Sequence, residues 1–146
     1  MSRCWLLDID GTVADATHRL HHIEKEPKDW RSFFAEVPGD KPIPHVVEIC
    51  QVLEESGYDI VFVTGRSTEC REATIAWLDE NVVRTYALYM RQEGDHRPDE
   101  VVKIELLAKL REDGYEPVAA FEDRARVARA LREAGLPVFH VAEGEF

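Results

Sequence analysis

Short apolar, β-prone runs at residues 3–9, 58–64, 86–89, 117–121 and 137–141 recur between stretches of helical character, and this alternation limits the chain to very few architectures. The runs are continuous rather than strictly alternating, as strands are when both faces of a parallel sheet are covered. The helical stretches carry stop signals: Pro44 to Ser56 is followed by Gly57, Glu100 to Asp113 by Gly114, and Arg124 to Ala134 by Gly135, with Ser67 to Glu80 as a fourth. Right-handed crossovers between such elements give an α/β fold with a Rossmann-like, doubly wound, mainly parallel sheet. Residues 14–43 break the pattern. They are rich in His, Pro, Lys and aromatic residues, and read as a small, helical, cap-like insertion after the first strand with no sheet-like run. At 146 residues the chain is expected to form one domain over residues 1–146.

Composition narrows the function classes. A hydrophobic fraction of 45% with 32% charged residues fits a globular chain rather than a disordered one. No apolar run reaches the roughly 18 residues of a membrane span, and the N-terminus leads directly into a strand without a signal-peptide pattern. Cys4, Cys50 and Cys70 have no CxxC spacing, so reduced structural thiols in a cytoplasmic protein are the expectation. A formal charge of −11 argues against broad, sequence-independent binding along nucleic acid.

In doubly wound sheets the ligand sits at the carboxyl ends of the strands, and here those ends are strongly polar. The first run delivers Asp8 and Asp10 and breaks at Gly11; the second ends in Thr64-Gly65-Arg66; the fourth ends in Glu122-Asp123-Arg124. Two carboxylates at a strand end can divide the work of phosphoryl transfer, one attacking phosphorus and the other handling protons. A negatively charged attacker needs a cation to approach a phosphate dianion, and hard oxygen ligands favour magnesium. Thr64, followed by a helix start near Ser67, would offer a hydroxyl and backbone N–H groups to an anion, with Arg66 as a bidentate clamp. Lys103 lies near a helix start, where a cation is unfavourable unless it has a partner such as phosphate or Asp8. A plain Asp-x-Asp-Gly turn, a helix-capping Asp123, an N-capping Asp99 and solvated arginines are the structural alternatives.

Taken in order, Asp8-Ile9-Asp10-Gly11-Thr12, Val63-Thr64-Gly65-Arg66, Lys103 and Glu122-Asp123 resemble the four motifs of the haloacid dehalogenase superfamily over nearly the whole chain. The resemblance implies that Asp8 is the nucleophile that forms an aspartyl-phosphate and Asp10 the general acid and base. It implies further that Thr64 and Lys103 bind the transferred phosphoryl group. Magnesium would be held by Asp8, the backbone carbonyl of Asp10 and chiefly Asp123. Glu122, which stands where many members have Asp, would reach it directly or through water.

A narrower resemblance is carried by Leu88-Tyr89-Met90-Arg91, Gly94-Asp95-His96-Arg97-Pro98-Asp99 and Val102-Lys103, with Arg19, Trp30, Phe33 and Gly144-Glu145-Phe146. It points to the 3′-phosphatase domain of phage-type polynucleotide kinases and implies substrate-supporting roles for Arg19, Arg66 and Asp99. The loop before Asp99 adds Arg91, His96 and Arg97 for a nucleotide backbone, and Trp30, Phe33 and Phe34 could stack on a base. No GxxxxGK[ST] segment is present, so the resemblance is to the phosphatase half alone and leaves room for a separate kinase or ligase as partner. The implied activity is magnesium-dependent removal of a 3′-phosphate from a nucleotide or oligonucleotide end. The alternatives are a phosphatase of free nucleotides or other small phosphoesters, and a non-catalytic phosphate-binding domain of a nucleic-acid repair assembly.

Overall fold

The computed structural model describes residues 2–144. Strands β1 (Ser2–Leu7), β4 (Asp59–Ser67), β5 (Ala87–Arg91), β6 (Tyr115–Glu122) and β7 (Val138–His140) form one sheet in the order β5-β4-β1-β6-β7, with every pairing parallel. Helices α2 (Pro44–Glu55), α3 (Arg71–Asn81), α4 (Asp99–Glu112) and α5 (Ala125–Glu133) make the crossovers.

Strand residues alternate between two cores, as parallel strands covered on both faces must. Leu7, Ile60 and Phe62 pack with Val46 and Cys50 of α2 and Trp77 and Leu78 of α3 on one face. Cys4, Leu6, Val61 and Val63 pack with Leu107 and Leu110 of α4 and Val127 and Leu131 of α5 on the other. The three cysteines are unpaired and buried, and burial pushes the Cys4 and Cys50 thiols up to about 12, so they stay protonated in these cores. Among the described residues no helix is long and apolar enough to cross a membrane.

The strand positions follow the apolar runs, and the differences lie at the strand ends. β1 stops at Leu7, two residues short of the expected limit, so Asp8 and Asp10 lie beyond it. β4 runs on to Ser67, with its register to β5 shifting between Thr64 and Ser67. The α-helix expected near Ser67 therefore begins only at Arg71, after a 3₁₀ turn over Thr68–Cys70 capped by the Ser67 hydroxyl, which accepts from the Glu69 N–H. An α-helix N-terminus thus does not sit at Thr64.

Residues 14–43 hold a 3₁₀ turn (Thr17–His22), α1 (Trp30–Ala35) and a second 3₁₀ turn (Val37–Gly39). They also contain an antiparallel pair, β2 (Ala14–Asp15) with β3 (Lys41–Pro42), which corrects the expectation of no sheet-like run. Only two residues long on each side, this pair has no periodicity for a sequence to display; it ties the two ends of the excursion together.

Candidate active site

Ending β1 at Leu7 separates the two aspartates. The Asp8 N–H still donates to the Phe121 carbonyl, continuing the β6 ladder, and the chain then turns at Gly11 in the left-handed region (φ +81°), where a Cβ would run into the Asp123 carboxylate. Asp8 and Asp10 consequently face different partners, and the site divides into two charge clusters.

In the first cluster, Lys103 from α4 reaches both strand ends. Its Nζ donates to Asp8 Oδ1 at 2.8 Å and to Glu122 Oε1 at 2.7 Å. Glu122 Oε2 accepts the N–H groups of Asp123 and Arg124, both at 3.0 Å, so this carboxylate anchors the lysine and the turn into α5 at once. Asp8, Glu122 and Asp123 are buried and bring ligating oxygens within 4.8 Å of one another, with buried Thr12 beside Asp8 and Asp123. Three carboxylates thus crowd around one ammonium. Burial and the neighbouring Glu122 push the Asp8 carboxyl well above its usual range despite Lys103, and burial likewise raises Glu122. Burial would lower Lys103, but Asp8, Glu122 and Asp99 outweigh it and keep the lysine charged. A donor set of hard oxygens with surplus negative charge fits a divalent cation such as magnesium.

In the second cluster the charges balance. Asp10 Oδ1 accepts from Arg19 Nη2 at 2.7 Å and from Arg66 Nη2 and Nε at 2.6 and 3.1 Å. Both arginines also bind Asp40: Arg19 through Nε and Nη2 at 2.7 and 2.8 Å, Arg66 through Nη2 at 2.9 Å. The Trp77 indole N–H donates to the Asp40 carbonyl at 2.8 Å, and His18 Nε2 lies 2.6 Å from its carboxylate. Burial works to raise the Asp10 carboxyl, but Arg66 and Arg19 outweigh it and hold the group below its ordinary range. The two guanidinium groups thus favour the ionised form of Asp10.

The arginines expected at substrate are held by protein. Arg19 and Arg66 are 0% and 2% exposed, and each guanidinium nitrogen has a protein partner, including the Phe33 carbonyl and Thr74 hydroxyl. Arg91 donates to the carbonyls of Gly65, Asp95 and Arg97 and to Asp99. Arg97 is half-exposed, lines the cleft with Asp8 and Asp10, and forks between Asp95 and Glu105. Asp99 is not an N-cap: it is the first residue of α4, and its carboxylate takes Arg91 at 2.9 Å and Arg124 at 3.0 Å. Burial would raise Asp99, but Lys103, Arg124 and Arg91 hold it low. Thr64 is buried and its hydroxyl accepts from the Arg66 N–H at 3.1 Å. Glu145 and Phe146 lie outside the described residues.

One contributor, Asp40, escaped the sequence reading, while Thr12 and Arg124 stood in the strand-end motifs without a role of their own; Arg124 lines the cleft and its guanidinium donates through Nη1 to Asp99. Asp40 sits in Gly39-Asp40-Lys41, which reads as an ordinary turn, so its pairing with two distant arginines left no local signal. Above the two clusters opens a cleft of about 950 Å³ whose walls come from the strand ends, the loop before Asp99 and the 14–43 excursion.

A family model described as the polynucleotide kinase PNKP phosphatase domain matches residues 2–146. Among curated proteins, the chain is 31% identical over 143 residues to the "Putative bifunctional polynucleotide kinase/RNA ligase" of Autographa californica nuclear polyhedrosis virus. That match takes in 95% of this chain and 19% of the viral protein. Among solved structures, a chain of a Pnkp1/Rnl/Hen1 complex superposes with a TM-score of 0.83 at 24% identity, covering 100% of this chain and 47% of that one. A class C acid phosphatase from Bacillus anthracis with tungstate bound gives a TM-score of 0.70 at 15% identity over 99% of this chain and 68% of the other. The chain therefore spans less than half the length of the viral relative and of the complex component.

Proposed function

We propose that this chain, which belongs to the polynucleotide kinase PNKP phosphatase-domain family within the haloacid dehalogenase superfamily, hydrolyses a terminal 3′-phosphate on a nucleotide or nucleic-acid end with magnesium bound. Phosphatase activity comes with the family; the 3′ position, the ion and the residue roles are the present reading. The observation that carries it is the split site: a carboxylate held by Lys103 amid surplus negative charge, and a second carboxylate held apart by two arginines.

Asp8 attacks phosphorus, a P–O bond forms to its carboxylate oxygen, and the ester bond to the substrate oxygen breaks. Asp10, loaded with a proton, gives it to the departing alkoxide. The resulting Asp10 carboxylate then takes a proton from water, whose oxygen attacks the aspartyl-phosphate and frees inorganic phosphate, returning Asp8 and Asp10 to their starting states. Lys103 fixes the orientation of Asp8 and offsets the charge on the transferred group. Asp8 and Asp123, with the Asp10 backbone carbonyl, would hold magnesium, and Glu122 supports them through Lys103. When bound, the ion reduces repulsion between the attacking carboxylate and the phosphate dianion and polarises the phosphoryl oxygens.

A polynucleotide end as substrate is supported by the family, by the names of the viral relative and of the structural neighbour, and by a cleft open enough for a polymer terminus. The product, a 3′-hydroxyl, is the kind of end a ligase-type reaction consumes, so a kinase or ligase partner fits the chemistry. The test is magnesium-dependent phosphate release from matched 3′- and 5′-phosphorylated nucleotides and short oligonucleotides, with Asp8→Asn as the blank. Selective 3′ release lost in Asp8→Asn is the expected result. Equal or preferential release from 5′ or small-metabolite esters would overturn the polynucleotide assignment.

A further inference from the structure

The aromatic residues of the 14–43 excursion do not behave alike. Phe33 is 6% exposed and sits under the Arg19 guanidinium, 4.3 Å from its ring centroid, where it backs the arginine that holds Asp10. Phe34 packs on the small core of Val37, Cys70 and Met90. Trp30 joins none of the buried clusters and is 44% exposed. Its ring is nevertheless fixed: Phe34 stacks on it at 5.9 Å and 27°, and Phe33 abuts it edge-on at 5.6 Å and 87°.

A large indole held between two other rings and left half-open to water offers a flat apolar surface with a polar edge to a ligand. The surface it faces is informative, because Trp30 lines the same cleft as Asp8, Asp10 and Thr64. Only the contact chain Trp30–Phe33–Arg19 separates it from Asp10, within the reach of a substrate whose phosphate lies at Asp8. Beside it Lys28, exposed and also lining the cleft, places Nζ 5.9 Å from the ring centroid, at the outer limit of a cation–π contact. A flat π-face next to an exposed cation matches a nucleobase next to a backbone phosphate, the pairing by which single strands are gripped without sequence preference.

We infer that Trp30 is the base platform of this cleft, on which a nucleobase of the substrate's terminal nucleotides stacks while Lys28 meets a neighbouring phosphate. The inference rests on the proposed function and adds that the enzyme distinguishes a base-bearing end from a bare sugar phosphate.

Two measurements test it. In Asp8→Asn protein, a 3′-phosphorylated dinucleotide quenches tryptophan fluorescence and deoxyribose 3-phosphate does not. Because Trp77 is buried and Trp5 packs in the sheet core, Trp30→Phe in the same background removes that quenching. In the active enzyme, kcat/KM for the 3′-phosphorylated dinucleotide exceeds that for the base-free ester, and Trp30→Ala reduces this ratio by about tenfold, while Trp30→Phe keeps part of it. About tenfold is about 1.4 kcal/mol, within the range of one base–aromatic stack. Quenching that persists in Trp30→Phe, or a ratio unchanged in Trp30→Ala, would overturn the platform. If the wild type releases phosphate from neither 3′ ester, the proposed function fails, and the quenching titration still decides the platform.

Discussion

The two carboxylates of Asp8-Ile9-Asp10 are separated by a single residue in sequence and lie in opposite electrostatic settings. Around Asp8, three acids face a single lysine, and burial makes the surplus charge costly. Around Asp10, two arginines and two carboxylates neutralise each other inside the protein. The first arrangement carries surplus negative charge and, under the proposed function, suits a nucleophile that works beside a cation. The second is complete and suits a group whose direction matters more than its charge. The difference begins with where β1 ends: had the strand continued to residue 9, alternation would have sent both side chains to one side of the sheet.

Removing a member of the Asp8 cluster has the largest expected effect. Asp8→Asn lowers phosphate release by at least about 10³-fold with no aspartyl-phosphate detectable by acid quench, because the attacking group is gone. Lys103→Ala leaves Asp8 and Glu122 facing each other without compensation. It should lower unfolding free energy by about 3–5 kcal/mol at neutral pH in urea titrations.

Disturbing the balanced cluster acts on geometry. Asp40→Asn keeps the shape but weakens the hold on Arg19 and Arg66, so Asp10 is misdirected. A fall in kcat of about 10²-fold with a smaller change in KM is expected, as for misplacement of a catalytic group by about 1 Å. In the same variant, rapid-quench experiments should find aspartyl-phosphate that forms more slowly and persists longer, because the proposed function assigns both proton transfers to Asp10.

The two clusters also predict opposite pH behaviour. Folded Asp8 and Glu122 hold their protons more tightly than when unfolded, so their contribution to stability is present at low pH and is lost as pH rises from the ordinary carboxylate range through the raised folded values. Asp10 and Asp99 are held low, so their contribution is present above the ordinary carboxylate range and is lost as pH falls through the depressed folded values. The proposed magnesium site lies in the first cluster alone, so the increase in Tm on adding the ion should be larger near about pH 7.5 than near about pH 5, by scanning calorimetry. The smallest effect belongs to Arg97→Ala. Its ion pairs with Asp95 and Glu105 are exposed and screened by solvent, and kcat/KM for a 3′-phosphorylated oligonucleotide should change by less than about threefold.

What the sequence made legible follows from how local each feature is. Apolar runs and glycine stops located the sheet and its crossovers, because burial on both faces writes itself into consecutive residues. The polar residues at the strand ends, with Lys103 at an unfavourable helix position, marked the Asp8 cluster. The partners of the arginines were not legible. Arg19, Arg66 and Arg91 look like anion contacts when read singly, and only the fold reveals carboxylates and carbonyls filling each guanidinium. Asp40 is 26 residues from Arg66 and meets it through tertiary packing alone. The short β2–β3 pair and the delayed start of α3 were hidden for a related reason, since both depend on how neighbouring segments meet rather than on a periodic pattern.

Calorimetric titration of magnesium into wild-type, Asp123→Asn and Asp40→Asn proteins tests the division of the site most directly. Binding that is lost in Asp123→Asn and preserved within about threefold in Asp40→Asn is the predicted result. Equal loss in both variants, or loss in Asp40→Asn alone, would contradict a cation-completed cluster at Asp8 beside a self-neutralised one at Asp10.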